Sequence, residues 1–244
     1  MSVFETTAFL GIVGDAIEFI FTPQEAATGG VQVGGLGQVL DFATTHVALS
    51  LGALVFASLI AIPTAVLLGH YGTGEFLAIS IGNAGRALPE LVIIALLVAY
   101  VGVGTVNVLI VLILLGVPPI LTNTFVGIKQ VEDSTVAAAR GMGLTEGEIM
   151  RQVELPLAVP TIMSGVRTSM INIIATATIA PLASVLTLGD FILGRNVYGD
   201  AGVLAGAILV ALLALAFEGV LALLQRTLTP RGIKIRAEQA EQAA

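Results

Sequence analysis

Charges set inside apolar sequence are the main chemistry this chain offers. His46 and His70 are its two histidines, too few and too far apart for a zinc site without carboxylate help. The lysines, Lys129 and Lys234, each follow an isoleucine, so there is no Gly-x-x-x-x-Gly-Lys-Ser/Thr loop and ATP is not bound by a P-loop. Cysteine is absent, which removes disulfides, thiolate chemistry and Cys-based metal sites. Without tryptophan and with few other aromatics, an aromatic cage for a cation is not expected. What remains is a short set of polar residues within apolar runs. Arg86 would cost roughly 2.5 to 3.5 kcal/mol at the centre of a span, so it must face protein, water or a carboxylate such as the nearby Glu90. It reads either as a pathway or gate residue or as half of a structural ion pair. Asn172 and Thr176 fall on one helix face, where they line a path or bond between helices. Glu218 needs a partner, Arg226 or a group on another helix, and His46 reads as an interfacial hydrogen-bonding residue.

The largest polar interruption runs from Glu132 to Pro160 and is punctuated like a pair of helices. Asp133 or Ser134 is placed to cap a short helix through Ala137, Ala138, Ala139 and Arg140, which Gly141 and Gly143 end. Thr145 followed by Glu148 is a capping box, so Glu146 to Val153 reads as a second helix that stops near Leu155-Pro156. Helix, glycine elbow, helix and proline make a knob on a membrane domain. A membrane chain with such a knob and no engine of its own takes its force from a partner; an ordinary ordered loop is the plainer alternative.

The elements around this segment are apolar. Mean hydropathy is +1.00, and 11% of residues are charged against roughly 25% in an average soluble chain. The sequence therefore predicts an all-α polytopic membrane protein with about five transmembrane helices. These run from Phe42 to Leu68 with Pro63 inside, Glu75 to Val101, Thr105 to Ile128 with Pro118-Pro119, Pro156 or Pro160 to Ala183, and Ala201 to Leu224. Residues 1–41 form an N-terminal segment whose apolar patch at 8–21, short of a span and broken by Asp15 and Glu18, is a candidate interfacial helix. Gly34-Gly35-Leu36-Gly37 reads as loop. The transmembrane domain covers 42–226 with its polar loop at 129–156, and 227–244 is a tail. Gly202 and Gly206 are spaced as small-xxx-small, for close helix approach. Lys129, Arg140, Arg151, Arg226, Arg231, Lys234 and Arg236 fall on one side of five spans and Arg195 opposite, which puts the loop and tail in the cytoplasm and the N-terminus outside.

The run Ala137-Ala138-Ala139, three residues, Gly143, nine residues, Val153-Glu154-Leu155-Pro156 resembles the EAA loop of binding-protein-dependent ABC importer permeases. The wider likeness runs from about His46 to Glu218. Arg86-Ala87-Leu88-Pro89, Pro119-Ile120-Leu121-Thr122-Asn123-Thr124, the stretch 140–170 and Leu188-Gly189-Asp190 are similar to glycine betaine, carnitine and choline importer permeases. Three departures stand out. Ala137 replaces the usual loop glutamate, Thr122 replaces an arginine before Asn-Thr, and Pro181 to Thr187 is stiffer and more apolar than the family's glycine-rich turn.

The resemblance implies a permease subunit in the cell membrane, itself no enzyme, that moves a quaternary-amine osmoprotectant. It implies partners: a cytoplasmic ABC ATPase dimer, a second permease of the same or a homologous kind, an extracytoplasmic substrate-binding protein and membrane lipid, with no nucleic acid. The chain would hold no cofactor, ATP and Mg being bound by the ATPase. Ala137, Ala138, Ala139, Arg140, Gly141, Gly143, Glu148, Val153, Leu155 and Pro156 would form the ATPase-coupling loop, and Arg86, Asn172 and Thr176 a translocation pathway. The alternatives are a permease for another cargo such as methionine, an ion-coupled secondary transporter using Glu90 or Glu218, and a passive channel.

Overall fold

The computed structural model describes residues 3–76, 80, 82, 89–230 and 232, with side chains from Gly11 onward. Among the described residues the regular structure is helical apart from one short hairpin. Helix α1 (Val3–Phe21) leads into β1 (Pro23–Glu25) and β2 (Gln32–Gly34), which pair antiparallel with Gln24 opposite Val33. Next come α2 (Gly35–His70), α3 (Glu90–Val101), α4 (Thr105–Lys129), α5 (Asp133–Gly141) and α6 (Glu146–Ile149). A wide π turn (Met150–Glu154) joins α6 to α7 (Leu155–Thr176); after a 3-10 segment (Ala177–Ala183) come α8 (Gly189–Leu193) and α9 (Arg195–Leu228).

Among the described residues four stretches are long and apolar enough to cross a membrane: Gly35–His70, Thr105–Lys129, Glu146–Ala183 and Arg195–Leu228. Helix α3 is a shorter apolar helix forming the second half of the predicted Glu75 to Val101 span; Asn83 and Arg86 lie outside the described residues. Three expectations about element ends are corrected. Helix α2 begins at Gly35, ahead of Phe42, because Gly34 and Gly35 make the turn themselves at φ of 79° and 72°. The second loop helix does not stop at Pro156 but runs on into α7. There the Leu155 N–H reaches the Met150 carbonyl across a wide turn, and the ring of Pro156, which has no N–H to give, is taken into the first turn of α7. The α5 helix is capped by neither Asp133 nor Ser134; Glu132 is its N-cap residue, without a side-chain cap bond, and the Ser134 hydroxyl donates to the Glu132 carboxylate at 3.3 Å.

The chain divides into two compact units. The first comprises 1–53, 89–112 and 173–216. Its core gathers Ala16, Phe19, Val33, Phe42, Leu188, Phe191 and Ala205, with Phe191 stacked edge-on against both Phe19 and Tyr198. The apolar patch of α1 thus turns one face, Ala16 and Phe19, into protein. Gly202 and Gly206 do permit close approach: a Cβ at the first would crowd the Phe19 ring, and one at the second would stand 2.8 Å from Phe191 Cβ. His46 is fully buried and makes a hydrogen-bond contact, its Nε2 3.0 Å from the Ile174 carbonyl.

The second unit comprises 54–88, 113–172 and 217–244. Small residues again set its spacing. A Cβ at Gly165 of α7 would lie 2.7 Å from Asn123 and 2.8 Å from the Pro119 carbonyl of α4. The Ser169 hydroxyl donates to the Gly116 carbonyl just ahead of the double proline, at 2.9 Å. Glu218 of α9 finds its partner in Arg167 of α7, not in Arg226; the same guanidinium donates to Gln225 at 2.7 Å, and Gln225 donates to the Pro160 carbonyl at 3.1 Å. Pairing of this kind is the form in which charge survives among apolar helices.

Candidate functional site

The polar segment 130–156 lies wholly within the second unit and is built by local rules. Helix α5 ends in a Schellman motif: the Gly143 N–H reaches the Arg140 carbonyl at 3.0 Å and the Leu144 N–H reaches that of Ala139 at 3.3 Å. Gly143 takes φ of 89°, the left-handed turn that an L side chain resists, and a Cβ built there would meet nothing within 4 Å. The capping box forms as its spacing requires. Thr145 accepts from the Glu148 N–H, while the Glu148 carboxylate accepts from the Thr145 N–H at 2.8 Å.

Burial sorts the predicted loop residues into two sets. Ala137, Ala138, Arg140, Gly141, Gly143 and Glu148 are exposed, whereas Ala139 is buried and Val153, Leu155 and Pro156 are half-buried at the root. Ile149 is fully buried and anchors α6; burial of such a side chain contributes about 1.5 to 3 kcal/mol. Arg140 donates twice to Glu146, at 2.8 and 2.9 Å, tying α5 to α6 across the elbow, and this carboxylate pushes the guanidinium further above its usual range. Met142, at the tip, is 75% exposed. Beside the root, a cavity of about 350 Å3 is lined by residues including Gln130, Glu132, Thr135 and Thr161.

Sequence reading missed Met142 and also His70. The His70 ring, at the end of α2, has Nδ1 2.6 Å from Glu154 and Nε2 3.3 Å from Glu146. Asn172 is exposed on α7, while Thr176 is buried and donates to Glu90 at 3.0 Å. Arg86 lies outside the described residues.

The segment is an exposed elbow, capped at both of its short helices' turns and rooted between spans. Comparison with known proteins gives the chain its family. The family described as binding-protein-dependent transport system inner membrane component matches residues 53–230, most of the chain. The chain belongs to that family. It is a multi-pass membrane protein and a permease subunit of an ABC importer, not an enzyme. Among its relatives is the choline transport system permease protein OpuBB of Bacillus subtilis (strain 168), 39% identical over 199 residues that cover 81% of this chain and 92% of the relative. The carnitine transport permease protein OpuCB of Listeria monocytogenes is 36% identical, over 80% of this chain and 90% of the relative. The fold is also that of a chain in the inward-facing MetNI methionine ABC transporter, with a TM-score of 0.69 at 18% identity, covering 80% of this permease and 98% of that chain.

Proposed function

We propose that this permease imports a compact quaternary amine, such as choline, glycine betaine or carnitine. The cargo arrives on an extracytoplasmic binding protein, and two cytoplasmic ATPase subunits, which bind ATP and Mg, act on a pair of permeases. The observation that carries the coupling reading is the elbow itself: an open left-handed glycine and a 75%-exposed methionine on a segment otherwise pinned at its root. An apolar tip on a polar, preorganised knob suits a groove on a soluble partner. Ala137, Ala138, Arg140, Gly141, Gly143 and Glu148 form the docking face, while Ala139, Val153, Leu155 and Pro156 hold its root. Closure of the ATPases pushes the knob, and α7, continuous with it, passes the push into the spans. Loaded binding protein shifts the permeases toward the outward state only by binding that state better. Asn172, Thr176 and Arg86 are proposed as pathway residues on chemistry and helix register. The cargo reading rests on the relatives named for choline and carnitine transport.

Gly143→Arg tests the docking face. The side chain would project into open space, and the strained φ costs about 1 to 2 kcal/mol. From detergent-solubilised native membranes, wild type is expected to bring down an ATPase and a quaternary-amine binding protein, and the folded variant to lose the ATPase. An ATPase absent from both sinks the importer assignment of this loop; a methionine-binding protein in the eluate overturns the cargo.

A further inference from the structure

We infer that His70 is a positioning residue that fastens the coupling segment to the end of α2, so that a push on the segment moves the first long helix together with α7. This deepens the docking reading and rests on it. The His70 side chain is 3% exposed and stands between carboxylates from the two ends of one short stretch: Glu146, which opens α6, and Glu154, which closes the π turn. Glu146 also takes both Arg140 hydrogen bonds. One polar chain, Arg140–Glu146–His70–Glu154, therefore joins α5, α6, the π turn and α2, all within the second unit. A carboxylate oxygen accepts, so the Glu154 contact draws on an N–H at Nδ1, with Nε2 left facing Glu146.

Two further observations separate this from an incidental surface pair. Glu154 is 7% exposed, and His70 is its hydrogen-bond partner among the described residues, so withdrawing the ring strands a buried carboxylate. Gly69, the preceding residue, is seated against α4, where a Cβ would stand 2.9 Å from Ile128. The end of α2 is thus held on one side by α4 and on the other by Glu154, and cannot slide alone. Glu154 also lies in the Val153-Glu154-Leu155-Pro156 run, where the knob becomes span.

The test uses the complete importer in proteoliposomes with wild type, His70→Ala, His70→Asn and His70→Gln. Asparagine sets an amide N–H near the place of Nδ1, facing Glu154; glutamine sets one near Nε2, facing Glu146. We expect ATP hydrolysis and subunit assembly to stay near wild type in all three. Cargo moved per ATP should fall about tenfold in His70→Ala and His70→Gln, the loss of one hydrogen bond to a charged group, and recover in His70→Asn. Unchanged coupling in His70→Ala overturns the proposal. So does equal loss in the asparagine and glutamine variants, or loss of uptake only in step with lost assembly, both of which mean simple packing. A wild-type complex that moves nothing with ATP overturns the importer reading beneath it.

Discussion

At the scale of single residues, Thr145 makes the simplest case. Its hydroxyl and the Glu148 carboxylate close a reciprocal cap on α6, a helix too short to stand on propensity. Thr145→Ala is expected to cost about 1 kcal/mol locally, read as a roughly fivefold faster amide exchange at Glu148 with α7 unaffected. No change at Glu148 would mean that Ile149, fully buried, holds α6 without its cap. This cap was legible because both partners sit within one turn of sequence. His70 was not, because Glu154 is 84 positions away and nothing near either residue announces the other. The available signal was weaker: a histidine ending a span. Met142 carried no signal of its own in the sequence; it is exposed at the Schellman turn that ends α5.

At the scale of elements, the join between knob and span is the instructive difference. Pro156 reads in sequence as a stop, since a proline inside a helix removes a hydrogen bond and clashes with the carbonyl four residues back. The chain instead widens the preceding turn, with the Leu155 N–H on the Met150 carbonyl, and the helix continues through Thr176. A widened turn holds one extra residue, and each residue of an α-helix is worth about 100° of rotation. Pro156→Ala lets the turn relax to α geometry, which would swing the knob relative to α7. We expect the variant to be as heat-stable as wild type or more so, while cargo moved per ATP drops about tenfold. Wild-type coupling in that variant would show that the wide turn is not used to aim the knob. The spans themselves were legible from hydropathy, because length and apolarity are summed over many residues. Their ends depended on particular turns such as Gly34-Gly35, where local sterics outweigh composition.

For the whole molecule, the open question of physical consequence is which face the knob occupies, because an ATPase can push only from the cytoplasm. The proposed answer comes from basic residues: Lys129, Arg140, Arg151 and Arg226 border the same side of the predicted spans, and Arg195 stands alone opposite. The N-terminal 42 residues carry no lysine or arginine, so nothing there resists translocation. The absence of cysteine makes this measurable without background. Thr28→Cys, exposed in the loop between β1 and β2, and Ser134→Cys, exposed on α5, each place one thiol on an opposite face of the proposed arrangement. In intact cells an impermeant maleimide should label Thr28→Cys at once and reach Ser134→Cys only after permeabilisation. The reverse pattern would put the elbow outside, beyond any nucleotide, and would leave the charge asymmetry, the exposed methionine and the His70 clamp to serve the binding protein instead.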